Sequence, residues 1–128
     1  MKNQPEVLEW ILKAEQDYET AETMSRKRKK HVPDIVGFHS QQCIEKYLKA
    51  YLVLKKLDFP KTHDLLELLE IALAKDPLLE GHRADLRMLN PFSVQFRYPG
   101  ESASIEEARI ALKAMRKVRT FFRKRFNL

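Results

Sequence analysis

Four polar side chains of types that bind phosphate or a nucleobase recur within one stretch: His39, Gln42, Lys46 and Lys49. They stand at i, i+3, i+7 and i+10, so at about 100° per residue they fall within roughly a quarter-turn of one another on a helix. A solvated helix face usually mixes Glu and Lys with little else. Here a His and a Gln stand in line with two cations. Such a ridge suits phosphate or base recognition, or it is a plain surface or dimer-facing ridge without chemistry. Four more candidates lie downstream. His63 and Asp64 stand where a helix begins, and free N–H groups there favour an anion. Arg97 has the fork geometry for bidentate phosphate contact, and Tyr98 offers a face on which a base can stack. Each has a plainer role. His63 can be a first-turn surface residue and Asp64 a helix cap. Arg97 can pair with Asp64 or Glu45 to lock a loop, and Tyr98 can pack into the core.

The elements that must position these residues are helices. Ile44, Tyr47, Leu48, Tyr51 and Leu54 form an apolar stripe opposite the polar ridge, the pattern of an amphipathic helix. That helix is expected to open at Pro33-Asp34, with Asp34 as its N-cap, and to run to about Lys56. Gly37 weakens it locally by ~1 kcal/mol relative to Ala, which points to a close approach by another backbone or to a helix that becomes regular only after Gly37. A first helix starts near Pro5, a residue suited to the first helical position. Val7, Ile11, Ala14, Tyr18 and Ala21 are its stripe, and it frays from Met24 into a cationic run. A third begins at Thr62-His63-Asp64, where Asp64 and Glu67 resemble a capping box. A short fourth follows Asp76-Pro77, with Leu79, His82, Leu86 and Leu89 inward, and stops at Asn90-Pro91. Residues 92–102 read as an ordered loop held by its aromatics. Ser104 and Glu107 form a capping box for the last helix, whose stripe is Ala108, Ala111, Leu112, Met115, Val118, Phe122 and Phe126.

Composition narrows the function classes. At 128 residues the chain is expected to be one domain with its own core. Cys43 is the only cysteine, which excludes an internal disulfide and fits a reducing compartment. No apolar run approaches the ~20 residues of a membrane span, and the expected location is the cytoplasm. No HExxH, paired cysteines or phosphate loop occurs, so no metal or cofactor is expected. No nucleophile, base and acid stand together, so no catalytic residue is assigned. The formal net charge of +6 is unevenly placed. Arg26 to Lys30 are five consecutive cations, and eight basic residues with no acid lie between Arg109 and Arg125. Such regions can attract RNA, nucleotide or an acidic protein, or can simply aid solubility.

The string Phe38-His39-Ser40-Gln41-Gln42-Cys43-Ile44-Glu45-Lys46-Tyr47-Leu48-Lys49-Ala50-Tyr51-Leu52, then Lys61-Thr62-His63-Asp64-Leu65 and Arg97-Tyr98-Pro99-Gly100, resembles the HEPN family, the higher eukaryotes and prokaryotes nucleotide-binding domain. The resemblance covers nearly the whole chain, from Trp10 and Ala14 onward. With the helix pattern it implies an antiparallel up-and-down four-helix bundle, an additional short helix and a long loop before the last helix. It implies a homodimer with a shared groove, and a nucleotide- or RNA-interacting accessory module working with a small nucleotidyltransferase. Alternatives are a ribonuclease of the toxin–antitoxin kind and a ligand-free protein–protein interaction module. Ribonucleases of the superfamily carry Arg, four to six residues, then His at the start of a later helix. Here the only such spacing, Arg26 to His31, falls in the basic linker before Pro33 and is discounted. An accessory role rather than enzymatic activity is therefore expected.

Overall fold

The computed structural model describes residues 4–29, 32–94 and 99–128, and its longest helix is also its central one. Helix α2 (Val32–Leu54) packs against α1 (Gln4–Met24), α3 (Leu65–Leu73), α4 (Arg83–Leu89) and α5 (Ile105–Arg125). Ile44, Tyr47, Leu48 and Leu52 of α2 are fully buried. Around them lie Ala14 and Ala21 of α1, Leu65, Leu68 and Leu69 of α3, Leu86 and Leu89 of α4, and Ala111, Met115, Val118 and Phe122 of α5. At ~1.5–3 kcal/mol per large apolar side chain, this burial is the main force holding the helices together. Tyr47 stacks on Phe122 with ring planes 2° apart, and Tyr51 also contacts Phe122. No strand occurs among the described residues, and no helix among them is long and apolar enough to cross a membrane.

The helix ends show where local chemistry and the expected boundaries part. Helix α2 begins at Val32, before Asp34, with Pro33 accommodated in its first turn. Asp34 therefore does not act as its N-cap. Its carboxylate accepts the backbone N–H of Ala103 at 2.7 Å and fixes the entry to α5. The helix ends as Leu57 N–H returns to Leu52 C=O and Lys56 N–H to Val53 C=O, with Lys56 in the left-handed region at φ 59°. Helix α3 begins at Leu65 because Asp64 is its cap, accepting from Leu66 N–H at 2.9 Å. The reciprocal half of a box from Glu67 is replaced by Thr62, whose hydroxyl accepts the Asp64 N–H at 3.1 Å. Asn90 turns back to the same corner, its Oδ1 accepting the Leu65 N–H and its Nδ2 donating to Asp64. The box at α5 is complete, with Ser104 and Glu107 each bonded to the other's backbone. A 3₁₀ stretch, Pro77–His82, leads directly into α4, and another, Asn90–Ser93, follows it.

Direction follows from side-chain pairs. Trp10 meets Lys49, and Asp17 meets His39 and Lys46, so α1 and α2 are antiparallel. Glu22 meets Arg116 and Glu15 meets Arg119 and Arg123, so α1 and α5 are antiparallel too. His82 meets Phe121 and Asp85 meets Lys117, which sets α4 against α5. Helix α3 departs from a strict up-and-down alternation. His63, just before it, lies at Glu45, and Asp76, just after it, lies at Tyr51. The segment between Leu54 and Leu65 is long enough to carry the chain back along α2, so α3 runs in the same sense as its neighbour.

Gly37 has a specific steric reason. A Cβ there would stand 2.1 Å from Cδ1 of Phe92. The close approach is made by an aromatic side chain rather than by a backbone, and Phe92 is the buried anchor of the segment that leaves α4.

Candidate functional site

The polar ridge of α2 forms a seam between α1 and the entry to α3. At one end His39 Nδ1 lies 2.7 Å from Asp17 Oδ1, while Lys46 Nζ donates to the other Asp17 oxygen. At the other end Lys49 Nζ donates to Glu45 Oε2 at 3.0 Å and lies 5.6 Å from the centre of the Trp10 ring. His63 Nδ1 is 3.0 Å from Glu45 Oε1. Two amides extend the Glu45 end. Gln42 Nε2 donates to Gln41 Oε1 at 2.7 Å, and Gln41 Nε2 donates to the His63 carbonyl at 2.9 Å. Glu45 is 3% exposed and Lys49 7%, a pair removed from water. Such a pair holds only when both partners are present and hydrogen-bonded. His39 and Lys46 keep 23% and 22% of their side chains exposed, and His63 keeps 70%.

The seam therefore has a closed floor and an open rim. Asp17 and Glu45 fix the side chains from below. An ammonium has three donors, and Lys46 retains donors beyond its bond to Asp17. The Nε2 atoms of His39 and His63 make no hydrogen bond among the described residues. Gln42 is half-buried, its amide on Gln41. Lys49 differs, being held on Glu45 under Trp10. Asp64 is occupied by its capping bonds and by Asn90. Arg97 and Tyr98 lie outside the described residues, as does His31 of the discounted Arg–His spacing.

Three residues that build the floor were not among the sequence candidates: Asp17, Glu45 and Gln41. Each carries a signal in retrospect. Asp17 lies two turns beyond Trp10 on the inward-leaning side of α1, an uneconomical place for an unpaired carboxylate. Gln41, Glu45 and Lys49 are spaced i, i+4, i+8, and Glu followed by Lys at i+4 is the favourable order for a helical pair. Cys43 is fully buried, and burial pushes its thiol well up, so it packs rather than reacts. Among the described residues no group of three His, Cys, Asp or Glu is placed to hold a metal ion.

The cations of α5 are largely committed to α1 and to the turn after α3. Arg119 grips Glu15 with two bonds, at 2.8 and 2.6 Å, and stacks over Tyr18. Arg116 grips Glu22 with two at 2.7 Å. Arg125 meets Asp76 at 2.7 Å. Tyr47 donates to Glu15 at 2.5 Å and Tyr51 donates to Asp76 at 2.7 Å, so both clasps also include α2. Burial acts to raise the Glu15 carboxyl, but bonds from Arg119 and Tyr47 outweigh it and hold the group below its usual range. Asp76 behaves likewise, with Arg125 and Tyr51 outweighing burial. Glu22 is held down chiefly by its bonds from Arg116. Burial, then the bond to Asp76, pushes Tyr51 up to about 12.

A depressed carboxylate stabilises the fold above its unfolded-state value, and that stability is lost as pH falls through the folded value. The melting temperature should therefore be flat above about pH 5 and should fall progressively below about pH 4. Glu15→Gln should lower the plateau and make the acid limb shallower, as followed by circular dichroism. An acid limb of unchanged steepness in that variant would exclude Glu15 as a source of the pH dependence.

Fold and site define an all-helical domain with a buried ion-pair seam along its central helix. The chain belongs to the HEPN domain family, whose model matches residues 7–125. That membership points to a nucleotide- or RNA-related role. No curated protein and no solved structure matches the chain.

Proposed function

We propose that the chain is a nucleotide- or RNA-interacting accessory module that works beside a small nucleotidyltransferase. The observation that carries this reading is the open rim of the α2 seam. Carboxylates below hold His39, Lys46 and His63 in place, and each keeps exposed surface above. In this reading Lys46 meets phosphate, while His39, Gln42 and His63 contact ribose or base. Lys49 reinforces the positive potential from below, and Asp64 holds His63 in place through the α3 cap. Arg97 supplies a second phosphate contact and Tyr98 a stacking face. Ordered charge-assisted bonds of ~1.5–3 kcal/mol each support micromolar to millimolar affinity once ordering costs are subtracted.

A homodimer belongs to the same proposal. Phe38 and Val53, apolar positions of α2 beyond its core stripe, offer no seat for it, because Val53 is buried and Phe38 half-buried within one chain. Leu8 and Leu12, a turn apart on α1 and both exposed, are a better seat. The test is calorimetry with AMP, ATP and GTP. Wild type should give heat, and His63→Ala and Arg97→Ala should weaken it about tenfold. For His63→Ala the melting temperature should stay unchanged, since its ring is mostly in water. Silence from wild type at millimolar nucleotide would overturn the nucleotide reading. Light scattering at micromolar concentration should give twice the chain mass, and a monomer mass would remove the dimer.

One observation favours a second reading, a toxin-type ribonuclease. A carboxylate oriented onto one imidazole nitrogen, with the other nitrogen free, is an arrangement that general bases use, and Asp17 and His39 form one. RNA cleavage by wild type that is lost in His39→Ala would favour it over the accessory role.

A further inference from the structure

The cations of this chain divide into two populations once their partners are traced. Arg116, Arg119 and Arg125 of α5 are each tied to a carboxylate. Arg26, Lys27, Arg28 and Lys29, in the turn after α1, are all exposed, and none makes an ion pair among the described residues. The nearest available carboxylate along the chain is Glu22, which feels the charge of Arg26 but is already gripped by Arg116. The turn is not loose at its ends. Arg26 N–H bonds to Thr23 C=O, Lys27 N–H to Met24 C=O, and Val32 N–H to Lys29 C=O.

The direction of α5 adds to this end of the bundle. Helix α5 is antiparallel to α1, with Arg116 opposite Glu22. Residues before Arg116 therefore extend past the end of α1 toward the turn. Lys113, one turn earlier, is exposed and has no ion pair among the described residues. Five cations without an ion pair among the described residues thus gather at one end of the molecule, where the start of α5 also brings Glu106, paired with Arg109, and Glu107, bonded in the capping box. Trp10, Lys49 and Lys56 lie toward the other end.

We propose that this end is a docking site for the phosphate backbone of single-stranded RNA, distinct from the α2 seam. It rests on the nucleic-acid side of the reading above. The composition of the patch sets the mode of binding. Arg26 to Lys29 carry charge and donors but no aromatic ring and no side-chain amide. Stacking and base-edge readout therefore have no groups to supply them. Recognition is electrostatic and insensitive to sequence, and the favourable free energy comes from released counterions. The turn holds an RNA strand to the bundle while the seam engages a nucleotide or a strand end.

The experiment is fluorescence anisotropy with a labelled 20-nucleotide oligouridylate over a range of NaCl concentrations. Wild type should bind with a log–log salt slope of roughly −3, the value for four or five phosphate contacts at ~0.7 each. The variant carrying Arg26→Gln, Lys27→Gln, Arg28→Gln and Lys29→Gln should bind at least tenfold more weakly at low salt, with a slope no steeper than about −0.7, the share of Lys113. Lys113→Gln alone should reduce the slope by about 0.7. Lys61→Gln with Lys75→Gln, which removes the same kind of charge elsewhere, should leave it unchanged. Circular dichroism should show the quadruple variant fully folded, since the replaced side chains hold nothing together. Nucleotide heat in that variant should equal the wild-type value, which separates this site from the seam. Failure of wild type to bind the oligouridylate at low salt overturns the docking site, whatever calorimetry shows for mononucleotides. Equal affinity for polyglutamate of the same length, with the same salt slope, also overturns it in favour of an acidic protein partner.

Discussion

Glu45→Ala is expected to destabilise the protein by about 3–5 kcal/mol, the range for breaking a buried pair by removing one partner. Glu45 is 3% exposed and accepts from Lys49 at 3.0 Å. Without it the Lys49 ammonium stays under Trp10, largely out of water, with no opposite charge beside it. Gln41 and Gln42 each lose a distant acceptor, at 3.5 and 3.4 Å, and His63 loses the carboxylate that orients its ring. The loss should therefore appear twice, in the urea midpoint and in any nucleotide affinity that depends on His63. The decisive control removes both charges. Glu45→Met with Lys49→Met should recover most of the stability, because apolar residues of similar volume often replace a buried pair at little cost. A single-variant loss under about 1 kcal/mol would mean that Lys49 escapes to water and that the seam floor is not closed.

This pair also shows how much the sequence disclosed. Helical periodicity marked α1, α2 and α5, because a stripe such as Val7, Ile11, Ala14, Tyr18 and Ala21 repeats the angle at which one face turns inward. Caps such as Ser104 with Glu107 are local and could be read directly. The polar ridge was legible as a set of directions: His39, Gln42, Lys46 and Lys49 share a side of α2. What that side faces was not legible, because it depends on where α1 and the entry to α3 pack. Asp17 comes from 22 residues before His39 and meets it only in the folded chain. The same limit applies to α5. Its run of cations reads in sequence as an open surface for an anionic partner or as an aid to solubility, yet Glu15, Glu22 and Asp76 lie beneath Arg119, Arg116 and Arg125. Charge counts along a chain cannot distinguish a paired cation from an unpaired one. Asp34 makes the point for helix ends: it has the composition of an N-cap, yet its carboxylate serves Ala103, 69 residues away.

Gly37→Ala should destabilise the protein by about 2–3 kcal/mol, toward the upper end of the ordinary cost of overpacking. Helix propensity alone predicts the opposite sign, since Ala is favoured over Gly inside a helix by ~1 kcal/mol. The packing contact decides the outcome. A Cβ at Gly37 would lie 2.1 Å from Cδ1, 2.4 Å from Cε1 and 2.8 Å from Cγ of Phe92, so the ring itself must move. Phe92 is 5% exposed and cannot swing away without opening the core beside α2. The two effects separate in a double-mutant cycle. Phe92→Ala should cost about 3–5 kcal/mol by leaving a cavity. In that background Gly37→Ala should become stabilising, by up to ~1 kcal/mol, because only the propensity gain remains. The sign reversal gives a coupling of roughly 3 kcal/mol or more between two residues in direct contact. A destabilising Gly37→Ala in both backgrounds would show that something other than the ring limits the position. Gly37 precedes His39 by two residues, and Phe92 precedes the segment carrying Arg97 and Tyr98. If that segment contributes to ligand binding, Gly37→Ala should weaken nucleotide affinity by more than His63→Ala does, even where most of the protein remains folded.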